Sequence, residues 1–265
     1  MATRTGITSP FTSRSTAADV IAGIDLTGRR AVVTGAASGI GQAVAAELAA
    51  AGYDVVGVDK DPCSVVDGIV ADLSDLTGLD RLVAEIEAGG GVDVLVSCAG
   101  IFEGQLTDDL TTDTYERTLR VNLHAPVLLM SRFAARMARR GYGRIVAVTS
   151  IHARFSEPTA LAYDVAKAGL EAATRTVAVE HADAGVLVNA LAPGFVNTAM
   201  SVVDGENELA TPWFTDHYLG TGRLPIRRAA EPSEIATSVA YLVDERNTYL
   251  TGSTVTVDGG LCARF

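Results

Sequence analysis

Cysteine, tryptophan and basic residues are scarce in this sequence, and each shortage excludes a class of protein. The 265 residues include 3 Cys and 1 Trp, and 21 Lys and Arg stand against 32 Asp and Glu, a formal net charge of −11. Cys63, Cys98 and Cys262 are too few and too far apart for a disulfide framework or a CxxC zinc site. A nucleic-acid-binding protein would need a positive surface to meet phosphates. We therefore expect no disulfide, no metal and no nucleic-acid partner.

Long apolar runs are also missing. No segment approaches the roughly 20 consecutive apolar residues that a membrane-spanning helix needs. With 48% hydrophobic residues, a chain of this length can bury a sizeable core without cross-links. We expect a soluble, cytoplasmic protein in a reducing compartment, with no membrane partner.

The amino terminus differs in composition from the rest of the chain. Residues 1–18 are rich in Ser, Thr, Gly and Arg, and the first carboxylate is Asp19. A secretory signal is excluded because the segment has no apolar core, whereas a basic, acid-poor transit peptide stays possible. We expect residues 1–24 to be a flexible tail, with a targeting segment as the alternative, and residues 25–265 to form one domain.

Short β-branched runs alternate with longer segments of helical period from residue 31 onward. Strands are predicted at 31–34, 54–58, 68–70, 92–96, 144–148, 186–191 and 253–257. Helices are predicted at 40–51, 75–88, 112–140, 161–182 and 232–244. Nearly continuous apolar strands separated by helices indicate a parallel sheet that is covered on both faces. The pattern predicts a single α/β domain of Rossmann type, a doubly wound parallel sheet of about seven strands.

A glycine-rich turn follows the first predicted strand and precedes the first helix. It reads Thr34-Gly35-Ala36-Ala37-Ser38-Gly39-Ile40-Gly41. Glycines let a backbone approach a diphosphate, and the amides at a helix start favour an anion. Glycines that merely end a strand are the alternative. The placement between a strand and a helix favours a dinucleotide site.

Asp59 closes the second predicted strand, about 20 residues after this turn. A carboxylate there suits an adenosine ribose diol and repels a 2′-phosphate. NAD is therefore expected in preference to NADP, although Lys60 leaves use of NADP open.

Ser150, Tyr163 and Lys167 form a second constellation. Ser150 ends the fifth predicted strand, and Tyr163 and Lys167 stand four residues apart on one face of a predicted helix. An ammonium near a phenol favours the phenolate, so Tyr163 could exchange a proton with a substrate oxygen that Ser150 orients. The alternative is a solvent-facing pair on an amphipathic helix. Ser150 and the upstream glycine turn favour the catalytic interpretation.

These motifs together resemble the short-chain dehydrogenases/reductases (SDR family), in their classical branch, over about residues 26–260. The resemblance implies that Asn122, Ser150, Tyr163 and Lys167 are catalytic, with Asn122 holding a water of a proton relay. It also implies contacts with the dinucleotide from Gly35, Ser38, Gly39, Ile40, Gly41, Asp59, Asp72, Leu73, Cys98, Ala99, Gly100, Tyr163, Lys167, Pro193, Gly194, Val196 and Thr198. Cys98 departs from the family, which has Asn there, and we expect a buried, inert thiol. Members of the family form homotetramers or dimers through the helices at 112–140 and 161–182.

The expected substrate is a small alcohol or carbonyl compound. A long segment at about 194–230 has no clear period and carries aromatic residues, which predicts a lid over the substrate or packing onto a neighbouring subunit. Candidate substrate residues are His152, Phe155, Phe195 and Trp213. The resemblance implies an NAD-dependent oxidoreductase that acts on a sugar, polyol or cyclic secondary alcohol. The alternatives are a carbonyl reductase for β-ketoacyl thioesters or polyketides, and a nucleotide-binding scaffold without catalysis.

Overall fold

A seven-stranded parallel sheet forms the centre of the computed structural model, which describes residues 28–203 and 205–263. The predicted tail at residues 1–24 lies outside these residues. The strands are β1 (Arg30–Thr34), β2 (Asp54–Asp59), β3 (Asp67–Val70), β4 (Val94–Ser97), β5 (Gly143–Val148), β6 (Val186–Pro193) and β7 (Thr254–Val257). Their order across the sheet is β3-β2-β1-β4-β5-β6-β7, and every pairing is parallel. The predicted fold class is confirmed.

Helices cover both faces of this sheet. They are α1 (Gly39–Ala50), α2 (Leu79–Ala88), α3 (Thr112–Leu119), α4 (Ala125–Arg140), α5 (Leu161–His181) and α6 (Pro232–Val243). One apolar cluster joins α1 and α6 to one face, through side chains such as Leu48 and Ile235. Another joins α2, α4 and α5 to the opposite face, through side chains such as Ile86, Phe133 and Leu170. The central strands β1, β4, β5 and β6 are buried from both sides, as their uninterrupted apolar sequences predict, whereas the edge strand β3 is largely exposed.

The single long helix predicted at 112–140 is wrong in one respect. A π-helical turn at Arg120–His124 separates α3 from α4. Pro126 explains part of the interruption, because its ring nitrogen cannot donate to the carbonyl of Asn122 four residues earlier. Such turns are frequent at functional sites, and this one contains the buried Asn122.

The strand order reverses beside β1, which pairs with β2 on one side and with β4 on the other. A crevice opens at the carboxyl ends of parallel strands where such a reversal occurs, because successive crossovers then leave in opposite directions. The glycine turn follows β1 at this edge, and Ser150 lies two residues beyond the end of β5. The topology therefore brings the two predicted constellations to one edge of the sheet.

The segment between β6 and α6 folds largely onto itself. It contains a two-residue antiparallel pairing of Val202–Val203 with Glu206–Asn207 and a short helix at Pro212–Phe214 that continues as a π-helical turn at Thr215–Gly220. Phe214 and Tyr218 are buried in a small apolar cluster with Leu224. Two of the aromatic side chains of this segment, Phe214 and Tyr218, are therefore packed inside the chain itself and do not form an exposed surface. Among the described residues, no helix has both the length and the apolar content that crossing a membrane requires.

Candidate active site

A cavity of about 1170 Å³ opens at the carboxyl edge of the sheet. Its wall contains 21 of the residues that the sequence singles out: Gly35, Ser38, Gly39, Ile40, Gly41, Asp59, Asp72, Leu73, Cys98, Ala99, Gly100, Ser150, His152, Tyr163, Lys167, Pro193, Gly194, Phe195, Val196, Thr198 and Trp213. Two predicted residues lie elsewhere. Asn122 is fully buried behind the wall, and Phe155 is 53% exposed on the outer surface. The predicted cofactor and proton-transfer residues therefore share one cavity.

The glycine turn fits a diphosphate. Gly35 has a φ of +71°, and a Cβ there would lie 2.9 Å from the backbone of Ala99, so the close approach of the two loops requires glycine. Ser38 precedes α1 but makes no side-chain cap, and the first turn of α1 has no acidic residue. The first amides of α1 therefore keep their capacity to bind an anion in the cavity.

Asp59 ends β2 beside this turn. Its Oδ2 accepts a hydrogen bond from the backbone N–H of Ala37 at 3.0 Å, and its Oδ1 accepts one from Asp61 at 3.1 Å. Each oxygen retains a lone pair for a further donor, so a ribose diol could still bind. The backbone contacts fix the carboxylate at the place where the sequence predicts ribose recognition.

Ser150, Tyr163 and Lys167 lie together in the middle of the cavity wall. Ser150 lies near enough to the Tyr163 hydroxyl to lower the pKa of the phenol, and both side chains face the cavity. Nζ of Lys167 lies 5.4 Å from the centroid of the Tyr163 ring and donates to the carbonyl oxygen of Val148 at 3.0 Å. A substrate oxygen that binds at the Tyr163 hydroxyl would therefore also contact Ser150. The Lys167 amine lies beside the Tyr163 ring.

Desolvation governs the acid–base behaviour of this group. It raises the pKa of Tyr163 from 10.0 to a net value of about 12, against the opposing effect of the nearby Ser150 side chain. Burial lowers the pKa of Lys167 from 10.5 to about 8. In this structure the effect that lowers the phenol pKa comes from Ser150, and the same role for Lys167, whose Nζ lies 5.4 Å from the ring centroid, stays a prediction. Tyr163 therefore holds its proton at neutral pH in this structure.

Asn122 is held from both ends of its amide. Oδ1 accepts from the backbone N–H of Ile101 at 2.8 Å, and Nδ2 donates to the carbonyl oxygen of Ile101 at 2.7 Å. A Cβ at Gly100 would lie 3.4 Å from this Oδ1 and 3.6 Å from Nζ of Lys167. The Asn122 side chain thus fixes the loop after β4 beside Lys167. The water that the family resemblance implies for Asn122 remains a prediction.

Cys98 lies in the loop between the glycine turn and Lys167. Burial raises the pKa of its thiol to about 12, and the nearby Lys167 lowers it only in part. The raised pKa agrees with the expectation of low reactivity, because the thiolate is the reactive form, but Cys98 is only half-buried on the cavity wall and not buried as expected. Oγ1 of Thr34 braces the same loop by accepting from the backbone N–H groups of Cys98 and Ala99 at 3.2 and 3.1 Å.

Polar side chains line the far end of the cavity, beyond Tyr163. Nδ1 of His152 lies 2.7 Å from Oδ1 of Asp164. The Tyr218 hydroxyl donates a short hydrogen bond to Oε1 of Glu157. Glu208 shares this wall, and its pKa is raised by burial and by the charge of Glu157. This end of the cavity offers several hydrogen-bond acceptors.

Sequence reasoning missed three residues at this end. Phe102 packs edge-on against Tyr163 with ring centroids 5.5 Å apart, Asp164 orients His152, and Glu208 adds a carboxylate. Asp164 directly follows Tyr163, and Phe102 lies two residues after Gly100, so proximity to a motif was the available signal. Glu208 had no such signal, since it depends on how the segment after β6 folds.

The chain is similar in sequence and fold to known oxidoreductases. A family model described as enoyl-(acyl carrier protein) reductase matches residues 35–262. Dehydrogenase/reductase SDR family member 4 of Pongo abelii is 35% identical over 258 residues, covering 90% of this chain and 89% of that protein. The 3-oxoacyl-(acyl-carrier-protein) reductase of Rickettsia bellii (strain RML369-C) is 32% identical over 250 residues, covering 90% and 98%.

A solved structure extends the likeness to the whole fold. The gluconate 5-dehydrogenase of Burkholderia cenocepacia J2315, in complex with NADP and tartrate, superposes with a TM-score of 0.83 at 27% identity. The match covers 91% of this chain and 97% of the other. The chain belongs to the short-chain dehydrogenase/reductase family and is an NAD(P)-dependent oxidoreductase.

Proposed function

We propose that this enzyme oxidises a secondary alcohol of a sugar, polyol or cyclic alcohol, with NAD as the preferred cofactor, and reduces the matching ketone in reverse. The observation that carries the proposal is the placement of Ser150, Tyr163 and Lys167 in the same cavity as the glycine turn. Acceptor groups beyond Tyr163 suit a hydroxylated substrate. The gluconate 5-dehydrogenase named above supports a sugar-derived substrate class.

Tyr163 and Ser150 have different roles in the proton transfer. A bound nicotinamide supplies the hydride acceptor or donor of the reaction. In oxidation the phenolate form of Tyr163 takes the hydroxyl proton and becomes the phenol, in reduction the phenol gives that proton to the ketone oxygen, and Ser150 holds the reacting oxygen in line with it. Because its pKa is raised to about 12, Tyr163 is protonated at neutral pH and can donate in reduction, and the fraction of phenolate that can act as the base in oxidation increases with pH. We expect oxidation to accelerate with increasing pH.

NAD is proposed on the strength of Asp59. Its carboxylate is anchored by two backbone amides and would repel a 2′-phosphate at that position. Lys60 and the NADP bound to the Burkholderia enzyme support the opposite choice. The kcat/KM values for the two cofactors with one alcohol substrate decide between them.

A second candidate is the reduction of a β-ketoacyl thioester or polyketide. The Rickettsia relative and the description of the matching family model favour it. The same Ser150 and Tyr163 would then protonate the ketone oxygen. Trp213 lies half-exposed on the cavity wall, and its substitution should affect a long thioester more than a small polyol if this candidate is correct.

The decisive experiment is a turnover assay with paired substrates. Sorbitol, cyclic alcohols and 3-hydroxyacyl thioesters are offered with NAD and NADP, and the matching ketones with the reduced cofactors. We expect the polyols or cyclic alcohols to be used best, and Tyr163→Phe to lower kcat by about 100-fold or more. Tyr249→Phe is the matched control, because Tyr249 is fully exposed. Turnover of the thioesters alone would select the second candidate, and an active Tyr163→Phe would refute the mechanism.

We also propose a cytoplasmic homo-oligomer, a dimer or tetramer. The outer face of α5 carries the exposed apolar residues Leu161, Val165 and Val179, the last 83% exposed. A second copy that packs along α5 would cover them. The three free thiols suit a reducing compartment. Light scattering on the purified protein would show a monomer if the assembly proposal is wrong.

A further inference from the structure

The His152 ring is held in one orientation by Asp164. The Nδ1 atom lies 2.7 Å from the carboxylate, and the side chains are only 21% and 14% exposed. An ionised carboxylate can only accept hydrogen bonds, so Nδ1 carries a proton and donates it. In the neutral imidazole, Nε2 is then the acceptor atom. Asp164 therefore fixes both the direction of the ring and its tautomer.

This ring stands beside the two groups that hold the reacting oxygen. The backbone N–H of His152 donates to Oγ of Ser150 at 3.2 Å. The imidazole meets the Tyr163 ring edge-on, with centroids 5.6 Å apart. His152 lines the cavity, and its Nε2 has no hydrogen-bond partner within residues 28–203 and 205–263. A polar atom with free capacity thus adjoins the site of reaction.

We propose that His152, positioned by Asp164, recognises a hydroxyl on the carbon next to the reacting carbon, so that the enzyme selects vicinal diols over simple secondary alcohols. The inference rests on the proposed function and narrows its substrate class. Ser150 and Tyr163 hold one oxygen, and Nε2 accepts from the hydroxyl beside it. In the reverse direction the substrate is an α-hydroxy ketone.

The surroundings of Tyr163 favour this assignment. Of the two rings packed against it, His152 offers a polar atom and Phe102 offers none. The carboxylates of Glu157 and Glu208 lie farther along the same wall and can accept from more distant hydroxyls. A site built to hydrogen-bond a hydroxyl discriminates strongly against an analogue without it, because the polar group is then left unpaired.

Matched alcohols test the inference directly. We compare kcat/KM for cis-cyclohexane-1,2-diol with cyclohexanol, and for butane-2,3-diol with butan-2-ol, using the better of NAD and NADP. The wild type should prefer each diol by about 10-fold or more. His152→Leu should lose most of that preference by lowering kcat/KM for the diols, with a much smaller effect on the simple alcohols. His152→Gln, which keeps an acceptor, should recover part of it.

Two further variants separate recognition from folding. Asp164→Asn should weaken the preference less than His152→Leu, because the ring keeps its place but loses its fixed tautomer. His181→Gln, at the end of α5 and off the cavity wall, is the control. Equal loss on diols and simple alcohols in His152→Leu, or a wild type without preference, would overturn the inference while the proposed function stands. Failure of the wild type to use any alcohol or matching ketone would overturn the proposed function itself.

Discussion

The Nζ atom of Lys167 lies 3.0 Å from the carbonyl oxygen of Val148, the last residue of β5, and the lysine is only 3% exposed. A single hydrogen bond to a backbone carbonyl compensates only partly for the free energy that is lost when an ammonium group is removed from water. The pKa of Lys167 is lowered to about 8 because burial disfavours the charged form. Lys167 is therefore placed for chemistry at a cost in stability, as active-site residues frequently are.

Replacing this lysine should stabilise the fold. The folded pKa of Lys167 is lower than the 10.5 of the unfolded chain, so the unfolded state binds more protons between about pH 8 and 10.5 and stability rises with pH across that window. Below pH 8 the wild type carries the full cost. Lys167→Met should raise the free energy of unfolding at pH 7 by about 1–2 kcal/mol, after allowance for the lost hydrogen bond, while it abolishes turnover.

Urea unfolding at a fixed protein concentration measures this effect at pH 7 and pH 10. The gain should be largest at pH 7 and should shrink strongly at pH 10, where the wild-type lysine is already neutral in the folded state. Lys60→Met is the control, because Lys60 is the only other lysine in the chain. A Lys167→Met variant that is less stable than the wild type at both pH values would contradict the argument.

Cofactor choice should depend on Asp59. The wild type is expected to use NAD with a kcat/KM about 10-fold or more above that for NADP, because a 2′-phosphate would face the anchored carboxylate. Asp59→Ser should weaken NAD and improve NADP, so that the ratio falls or inverts. Steady-state kinetics with both cofactors give the ratio, with Asp67→Asn on β3 as a control that is off the cavity wall. An unchanged ratio would show that Asp59 does not read the ribose.

A neutral polyol should be a better substrate than a sugar acid. Glu157 and Glu208 place two carboxylates on the wall beyond Tyr163, and the guanidinium of Arg223, which lies 2.7 Å from Nε2 of His217, is one positive charge against them. A substrate carboxylate would meet like charges there. We expect sorbitol to have a kcat/KM about 10-fold above that of gluconate, a contrast with the gluconate 5-dehydrogenase that shares the fold.

Removing one of these charges tests the cause. Glu208→Gln should raise the gluconate-to-sorbitol ratio of kcat/KM by about 3-fold or more, whereas Glu206→Gln, two residues away on the exposed hairpin, should leave it where it is. Preference for gluconate in the wild type would mean that the carboxylates do not face the substrate.

The sequence indicated the sheet, its helices and most of the cavity wall, because these follow from period and from local motifs. Strand runs at 31–34 and 54–58 were found within one residue of β1 and β2 at each end. The features that the sequence did not predict depend on contacts between segments that are separated along the chain. The pairing of His152 with Asp164 spans a loop, and the outward position of Phe155 depends on how that loop turns. The π-helical turn at 120–124 lies between two α-helices in one continuous helical segment, so the sequence predicted a single helix there.

Asn122, in the π-helical turn at 120–124, should contribute strongly to the stability of the fold. Both hydrogen bonds of its amide go to the backbone of Ile101, and the residue is fully buried. Asn122→Ala would leave the N–H and the carbonyl of Ile101 without these partners, so we expect a loss of about 2–4 kcal/mol in the free energy of unfolding. Asn122→Asp keeps the acceptor for the Ile101 N–H but not the donor.

Urea unfolding and turnover, measured side by side, separate the two roles of Asn122. Loss of stability in Asn122→Ala, with little change in the exposed control Asn197→Ala, is expected from the hydrogen bonds alone. A proton relay through this residue predicts in addition that kcat falls more in Asn122→Ala than thermal inactivation explains, at a temperature where the variant is fully folded. Wild-type stability in Asn122→Ala would refute the bracing role. An unaltered kcat in the folded variant would refute the relay and leave Asn122 as a residue that fixes the loop beside Lys167.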